Sequence, residues 1–558
     1  MVSNVNSLLE LYRLAATGNP NVLTQQFWGN IPSTYVDLKK RVAIHQQSQN
    51  LGKFQDNIEE LRRIAYNHNR SMGTLTLAVK DTLDNLDSGL LDVGHQPLIF
   101  GGSSFLMNKI SSADWIGQLT GLSTFFFIGD HDSIQNELTV TRFPQPNSSS
   151  GLLITPPSWG VPDDTPMHYV PVPSEKWIMD SKEKIQENLR LLIKYAKVLP
   201  HNRTLLSERF QSWFDIIKDS AFSANDFSSW SQRIWSTLFI LRNDLHIFLT
   251  PSSNIRYRKL IRPAFEFLLT EKNRDQYIET LNSVYNQIIG HNLTPGLPRR
   301  EKSYVPFFLE CLKCKTHTRV ELKVFQLGVL EGRCPSCNEE YSFSYNSNSP
   351  DLSEIEINIT PRSDSRAMVN NFTFPILVHV GGGGETQYYS AVIPAMKRLN
   401  IEPPILIRSN RIYYSTPWGE KSASEVGKPM LQEKVYNCFK AYNEGQTISD
   451  KHSALEAMRT HLQLVSLENN KLLVQHNDEL RKNQGDKKLR RKIRNLELML
   501  SHNYGRFTAG KNIQEVSWNW LDLALLTGIH NLSSMYQRQI NEKSFPGFTW
   551  YINTGKYT

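Results

Sequence analysis

GHQPLIFGGSSFLMNKISSADWIGQLTGLSTFFFIGDHD, residues 94–132, decides the fold. Two apolar runs, QPLIF (96–100) and STFFFI (123–128), read as strands. Between them, SSFLMNKISSADWIGQL (103–119) places Leu106, Ile110, Ala113 and Leu119 near helical spacing after a serine cap. Strand, glycine turn, helix, strand is the βαβ unit of a parallel sheet. The same alternation returns far downstream: FPILVHV (374–380), GGGGE (381–385), a helix from about 386 to 399, then PPILIRS (403–409). The sequence therefore predicts an α/β fold whose parallel sheet is interrupted and then resumed.

Helical patterns dominate residues 1–90, with NIEELRRIAYNH (57–68) plainly amphipathic, and again residues 174–296. The predicted organisation is N-terminal helices and the first half of the core (1–170), a helical connective domain (171–300) and a cysteine module (301–350). The second half of the core (351–445), a coiled coil (446–510) and a C-terminal helical segment (511–558) complete it. In the coiled coil, Leu455, Met458, Leu462 and Val465 alternate spacings of three and four, as do Leu489, Ile493, Leu496 and Leu500. Gly485 between them breaks the pattern, so two helices folded into an antiparallel hairpin are expected. Eight Lys and Arg between 481 and 494 cluster at its tip, as a solvated surface or as a contact for RNA or another anion.

The 558 residues carry a net charge of +8, a mild excess that suits anionic small molecules as well as nucleic acid. No basic, apolar leader and no ~20-residue apolar span is visible, which predicts a cytoplasmic chain with no membrane segment. Four of its five cysteines form one pattern: Cys311-x2-Cys314 and, 19 residues on, Cys334-x2-Cys337. That spacing supplies four thiolates to a tetrahedral zinc in a ribbon, and four ligands close the coordination sphere, so the predicted role is structural.

Ligands of an open parallel sheet bind beyond the carboxyl ends of its strands. Three predicted strands end in distinctive sequence: Gly101-Gly102 at a helix start, Gly129-Asp130-His131-Asp132, and Gly381-Gly382-Gly383-Gly384-Glu385 at another helix start. Glycines and free helix N–H groups suit phosphate or carboxylate, whereas DHD suits base chemistry, amine recognition or a divalent ion, or serves as a capped polar turn. Arg362, Asp364 and Arg366 lie in PRSDSR just before the late strand, as candidate ligand contacts or as surface salt bridges, and Arg408 ends the last one.

In this order, Gly94-His95-Gln96-Pro97, Asp130-His131-Asp132 and the glycine-glutamate turn 381–385 resemble the bacillithiol biosynthesis cysteine-adding enzyme family. DLHIFLTPSSNIRYRKLIRPAFEFLL (244–269) is similar to that family's helical connecting region. The resemblance implies a Rossmann-like core, split by a connective domain and followed by a coiled coil that mediates homodimers. It implies a ligase joining the carboxyl of cysteine to the amine of glucosaminyl malate, an amino-sugar malate conjugate. Catalytic roles then fall to His95, Lys109, Asp130, His131 and Asp132. Substrate or ATP/ADP contacts fall to Gly94, Gln96, Pro97, Gly101, Gly102, Asn108, Arg362, Asp364, Gly381 to Gly384, Glu385 and Arg408. Three departures stand out: His95 where glutamine is usual, Gly129 where a glutamate commonly precedes DHD, and the added zinc ribbon. The core is also akin to class I aminoacyl-tRNA synthetases and nucleotidyltransferases, so an ATP-dependent enzyme acting on RNA or another acceptor is the alternative. No complete Walker motif or KMSKS-type loop is present.

Overall fold

The computed structural model describes residues 7–425 except 49, 147, 149, 150 and 157, and residues 514–554 except 553, with six isolated positions between. The predicted coiled coil lies outside the described residues. Five strands form the central sheet: β1 (Leu90–His95), β2 (Ser123–Ile128), β3 (Ile247–Pro251), β4 (Ile376–Gly381) and β5 (Ile405–Arg408). Their order is β5-β4-β1-β2-β3, every neighbour parallel. The chain winds from β1 outward through β2 to β3, then crosses back to place β4 on the other side of β1. The carboxyl ends of β1 and β4 thus flank the point where strand order reverses, and this is where such sheets bind ligands.

Three of the predicted strands stand where the sequence put them, and β1 does not. The strand is LLDVGH, and QPLIF follows it as a tight turn (Ile99–Gly101). The reason lies in the hydrogen bonds. The backbone of QPLIFG is satisfied by side chains of helix α2 (Phe227–Trp235) and of the C-terminal segment, not by a strand. Ser231 Oγ accepts from Leu98 N at 2.9 Å, while Trp520 Nε1 donates to Phe100 O at 2.9 Å and Trp235 Nε1 to Gly101 O at 3.0 Å. Phe100, held at φ 50°, stacks on Trp177 and meets the edge of Trp230. His95 consequently ends a strand and does not precede one.

A second correction concerns residues 244–269. Its apolar run is β3, an edge strand of the sheet, and only Ile255–Leu269 is helical (α3). Helix α1 (Ser104–Thr120) makes the predicted crossover from β1 to β2, with Gly121 in the left-handed conformation closing it. Helix α4 (Ser363–Thr373) packs against α3, and α5 (Gly383–Arg398) follows β4 directly.

The cysteine module is a five-stranded antiparallel sheet, ordered 359–361, 304–310, 319–323, 329–333, 340–344. Among the described residues no helix is long and apolar enough to cross a membrane.

Candidate active site

A cleft of about 1380 Å³ opens over the carboxyl ends of β1 and β4. The β1 end contributes Gly94, His95 and Gln96, the start of α1 contributes Gly102 and Lys109, and the loop after β2 contributes His131 and Asp132. The second half of the core adds Arg362, Gly382, Gly383, Gly384 and Glu385. Segments nearly 300 positions apart in sequence therefore share one wall.

Glu385 is the hub. Lys109 Nζ lies 2.6 Å from its Oε2 and also donates to Gly94 O at 2.8 Å. Gly382 N donates to the same oxygen at 2.6 Å, so the carboxylate caps α5 from its first turn. On Oε1 it meets Arg366 at 3.2 Å and His379 Nε2 at 3.4 Å. Burial opposes its charge, but Lys109, His379 and Arg366 together hold its pKa well below the usual carboxylate range. Behind it, His379 Nδ1 pairs with Asp92 at 2.8 Å, inside the sheet between β4 and β1. Burial lowers the pKa of His379, yet Asp92 and Glu385 outweigh it and raise it.

His95 behaves oppositely. Its Nδ1 contacts Gln96 O at 2.9 Å, which makes Nδ1 the protonated nitrogen and leaves Nε2 an acceptor. Burial, with Lys109 adding to it, lowers its pKa to about 4, so the ring is neutral at pH 7. At the far side of the cleft, Asp132 accepts from Gln96 Nε2 at 2.9 Å and pairs with Arg319 at 2.7 Å. Burial opposes its ionisation; His131 and Arg319 reverse that and lower its pKa.

Other predicted residues lie behind the wall. Asp130 is fully buried and receives four hydrogen bonds, from Ser252 Oγ (2.7 Å), Ser253 N (2.8 Å), Ser253 Oγ (2.6 Å) and Ser228 Oγ (3.0 Å). It clamps the DHD loop to the end of β3. Asp364 is held by Tyr304 and Arg300, and Asn108 donates to Asn410 O. Pro97, Gly101 and Gly381 shape the turns; an added Cβ on Gly101, at φ +75°, would meet Ile234 at 2.8 Å. Arg408 is turned away, and burial brings its pKa down to about 10.

In place of Arg408, Arg411 enters the cleft, lying 3.9 Å over the Phe105 ring and 3.3 Å from Glu515. Tyr388, His379, Asp92 and Arg319 join the site without a motif to mark them, whereas Arg366 stands beside Arg362 and Asp364 in PRSDSR. Arg366, four residues after Arg362 on one face of α4, carried a helical-spacing signal. The others carried none, because their partners are distant in sequence.

Five cationic side chains line the cleft (Lys109, Arg142, Arg362, Arg366, Arg411) against three carboxylates (Asp132, Glu137, Glu385), which favours an anionic ligand. Gly383 and Gly384, in the first turn of α5 beside the Glu385 cap, line the same cleft, and helix N-terminal N–H groups share that preference.

The four cysteines gather at the tip of the antiparallel sheet, their Sγ atoms within 4.8 Å of one another. Cys311 and Cys337 lie 3.6 Å apart, Cys314 and Cys334 4.0 Å. A tetrahedron of thiolates around a metal at ~2.3 Å has edges of about 3.8 Å, so the set fits a metal ion.

The sheet order and the cleft define a protein with a Rossmann-like α/β core and an open cleft at its topological switch point. No family model matches the chain. It is similar to the "Putative cysteine ligase BshC" of Staphylococcus haemolyticus, with 22% identity over 457 residues, covering 76% of this chain and 76% of that protein. The resemblance read from GHQP, DHD and GGGGE is thereby borne out over three quarters of the chain.

Proposed function

We propose that this cleft is the site of a cysteine-adding ligase, which joins the carboxyl of cysteine to the amine of glucosaminyl malate or a related amino-sugar conjugate. The observation that carries the reading is the convergence of the GHQ, DHD and GGGGE segments on one cation-rich cleft at the β1–β4 switch point. The ligase named among similar proteins supports it.

Amide formation from a free acid is uphill in water, so the cysteine carboxyl needs activation, with ATP the natural source. The first turn of α5 and Lys109 are the groups suited to its phosphates. Lys109 has three donors; Gly94 and Glu385 take two, and the third is left for an anionic oxygen. Arg362 and Arg411 suit the malate carboxylates. Asp132 orients the acceptor nitrogen, which attacks as the neutral amine. His95 Nε2, unprotonated at neutral pH, accepts the one N–H proton released as nitrogen bonds the activated carbonyl and the phosphate-bearing leaving group departs as an anion. Zinc held by Cys311, Cys314, Cys334 and Cys337 is structural. Cytoplasmic residence and a homodimer through residues 446–510 belong to the same reading.

The test is purified protein with cysteine and glucosaminyl malate, with and without ATP, read by mass spectrometry. A cysteinyl adduct that disappears in Asp132→Asn and His95→Ala supports the reading. No adduct under any condition, together with salt-sensitive RNA binding, favours the synthetase-like alternative.

A further inference from the structure

The strand Arg319–Lys323 runs between the two cysteine pairs, and its residues 319 and 321 share one face. Arg319 NH1 lies 2.7 Å from Asp132 Oδ1, and its guanidinium covers the Phe308 ring at 4.4 Å. Two positions on, Glu321 Oε1 lies 3.0 Å from Arg362 NH2, and Arg362 covers the same ring at 4.2 Å. Asp132 belongs to the half of the core made before the insertion, Arg362 to the half made after it. One short strand therefore grips a cleft residue from each half.

That strand is fastened to the cysteine cluster at its own start. Thr318 Oγ1 donates to Ser336 Oγ at 2.9 Å, joining the first knuckle to the second. His317 Nδ1 contacts Cys311 O at 3.0 Å, and its ring stacks 4.3 Å from Tyr169. Glu310, the residue before Cys311, is fully buried on Arg258 at 2.7 Å, and Arg258 Nε donates to Ser252 O at 3.1 Å. Ser252 in turn holds His131 and Asp130. The thiolates thus sit at the head of two separate lines of contact into the DHD loop.

We propose that the metal-bound cysteine ribbon is a positioning device for the cleft: it holds Arg319 and Glu321 so that Asp132 and Arg362 are fixed relative to each other, and loss of the metal releases both. Arg319 and Glu321 are positioning residues. The coupling itself stands on geometry alone; its kinetic consequence rests on the cleft being the ligase site.

Hydrogen exchange read by mass spectrometry tests the coupling without any assay of activity. On stripping with a zinc chelator, peptides covering 129–136 and 361–367 should exchange at least about tenfold faster while β1 and β2 stay protected. Arg319→Gln, with metal content unchanged, should reproduce the effect at 129–136, and Glu321→Gln at 361–367. If stripping unfolds the whole chain, these two metal-retaining variants decide. Unchanged protection in both variants overturns the proposal. Where ligation is measurable, Arg319→Gln should lower kcat about 10- to 100-fold with little change in KM, with partial recovery in Arg319→Lys, while Glu321→Gln should raise KM. Exchange that responds in a protein showing no ligation sinks the ligase reading and leaves the positioning role standing. Normal kcat in Arg319→Gln with unchanged exchange does the reverse.

Discussion

Lys109 and Glu385 meet at 2.6 Å across the switch point, one reaching from α1 and the other from the first turn of α5. The lysine side chain is 1% exposed and the glutamate 14%, so the pair is both a seam between the two halves of the core and part of the cleft wall. Removing one partner of a buried pair leaves the other charge without compensation. Lys109→Met should therefore lower unfolding free energy by about 3 kcal/mol. Lys109→Met/Glu385→Gln should recover part of the loss, as read from urea midpoints; equal loss in both variants would contradict the pairing.

The two carboxylates of DHD should separate cleanly. Asp130 is buried under four donors, and Asp130→Ala should cost about 3 kcal/mol of stability and cut soluble yield. Asp132 lines the cleft, and Asp132→Asn should leave the melting temperature within a few degrees of the parent while lowering ligation. Differential scanning calorimetry beside the product assay reads both.

Stability should fall between pH 6.5 and 4. Burial brings His68, His95 and His131 to about 4 in the folded chain, below the ordinary histidine value. Over that window the unfolded chain binds the extra protons, so stability rises with pH and is lost as pH drops. His95→Gln should flatten the dependence by roughly 1 kcal/mol per pH unit relative to the parent. Urea midpoints at pH 5 and 7 measure it, and an unchanged slope counts against a neutral His95.

Metal analysis should return about one zinc per chain, and Cys314→Ser should reduce it while lowering the melting temperature. Unchanged metal in that variant would place the ion elsewhere.

Much of this was legible locally, and the misses share a cause. STFFFI, FPILVHV and PPILIRS are apolar runs whose pattern survives in β2, β4 and β5. The true β1, LLDVGH, hides behind Asp92, Gly94 and His95. Asp92 is tolerated in a buried strand only because His379, 287 positions on, is its partner. QPLIF looked more like a strand and is a turn, because indoles and a serine hydroxyl take the place of a neighbouring strand. The cleft motifs were visible as glycines and carboxylates. Which carboxylate faced the cleft was not, since burial of Asp130 depends on serines just past β3 and on α2.

The order in which the strands pair also matters while the chain is being made. β1, β2 and β3 have all been synthesised by residue 251, but the partner for the other edge of β1 begins at residue 376. At 5–20 residues per second, roughly 6–25 s separate the two. Throughout that interval β1 presents a bare hydrogen-bonding edge, the kind that recruits other strands into aggregates. The interrupted sheet that builds the cleft thus leaves each nascent chain with an unpaired strand edge until the second half of the core is made, and faster elongation shortens that exposure.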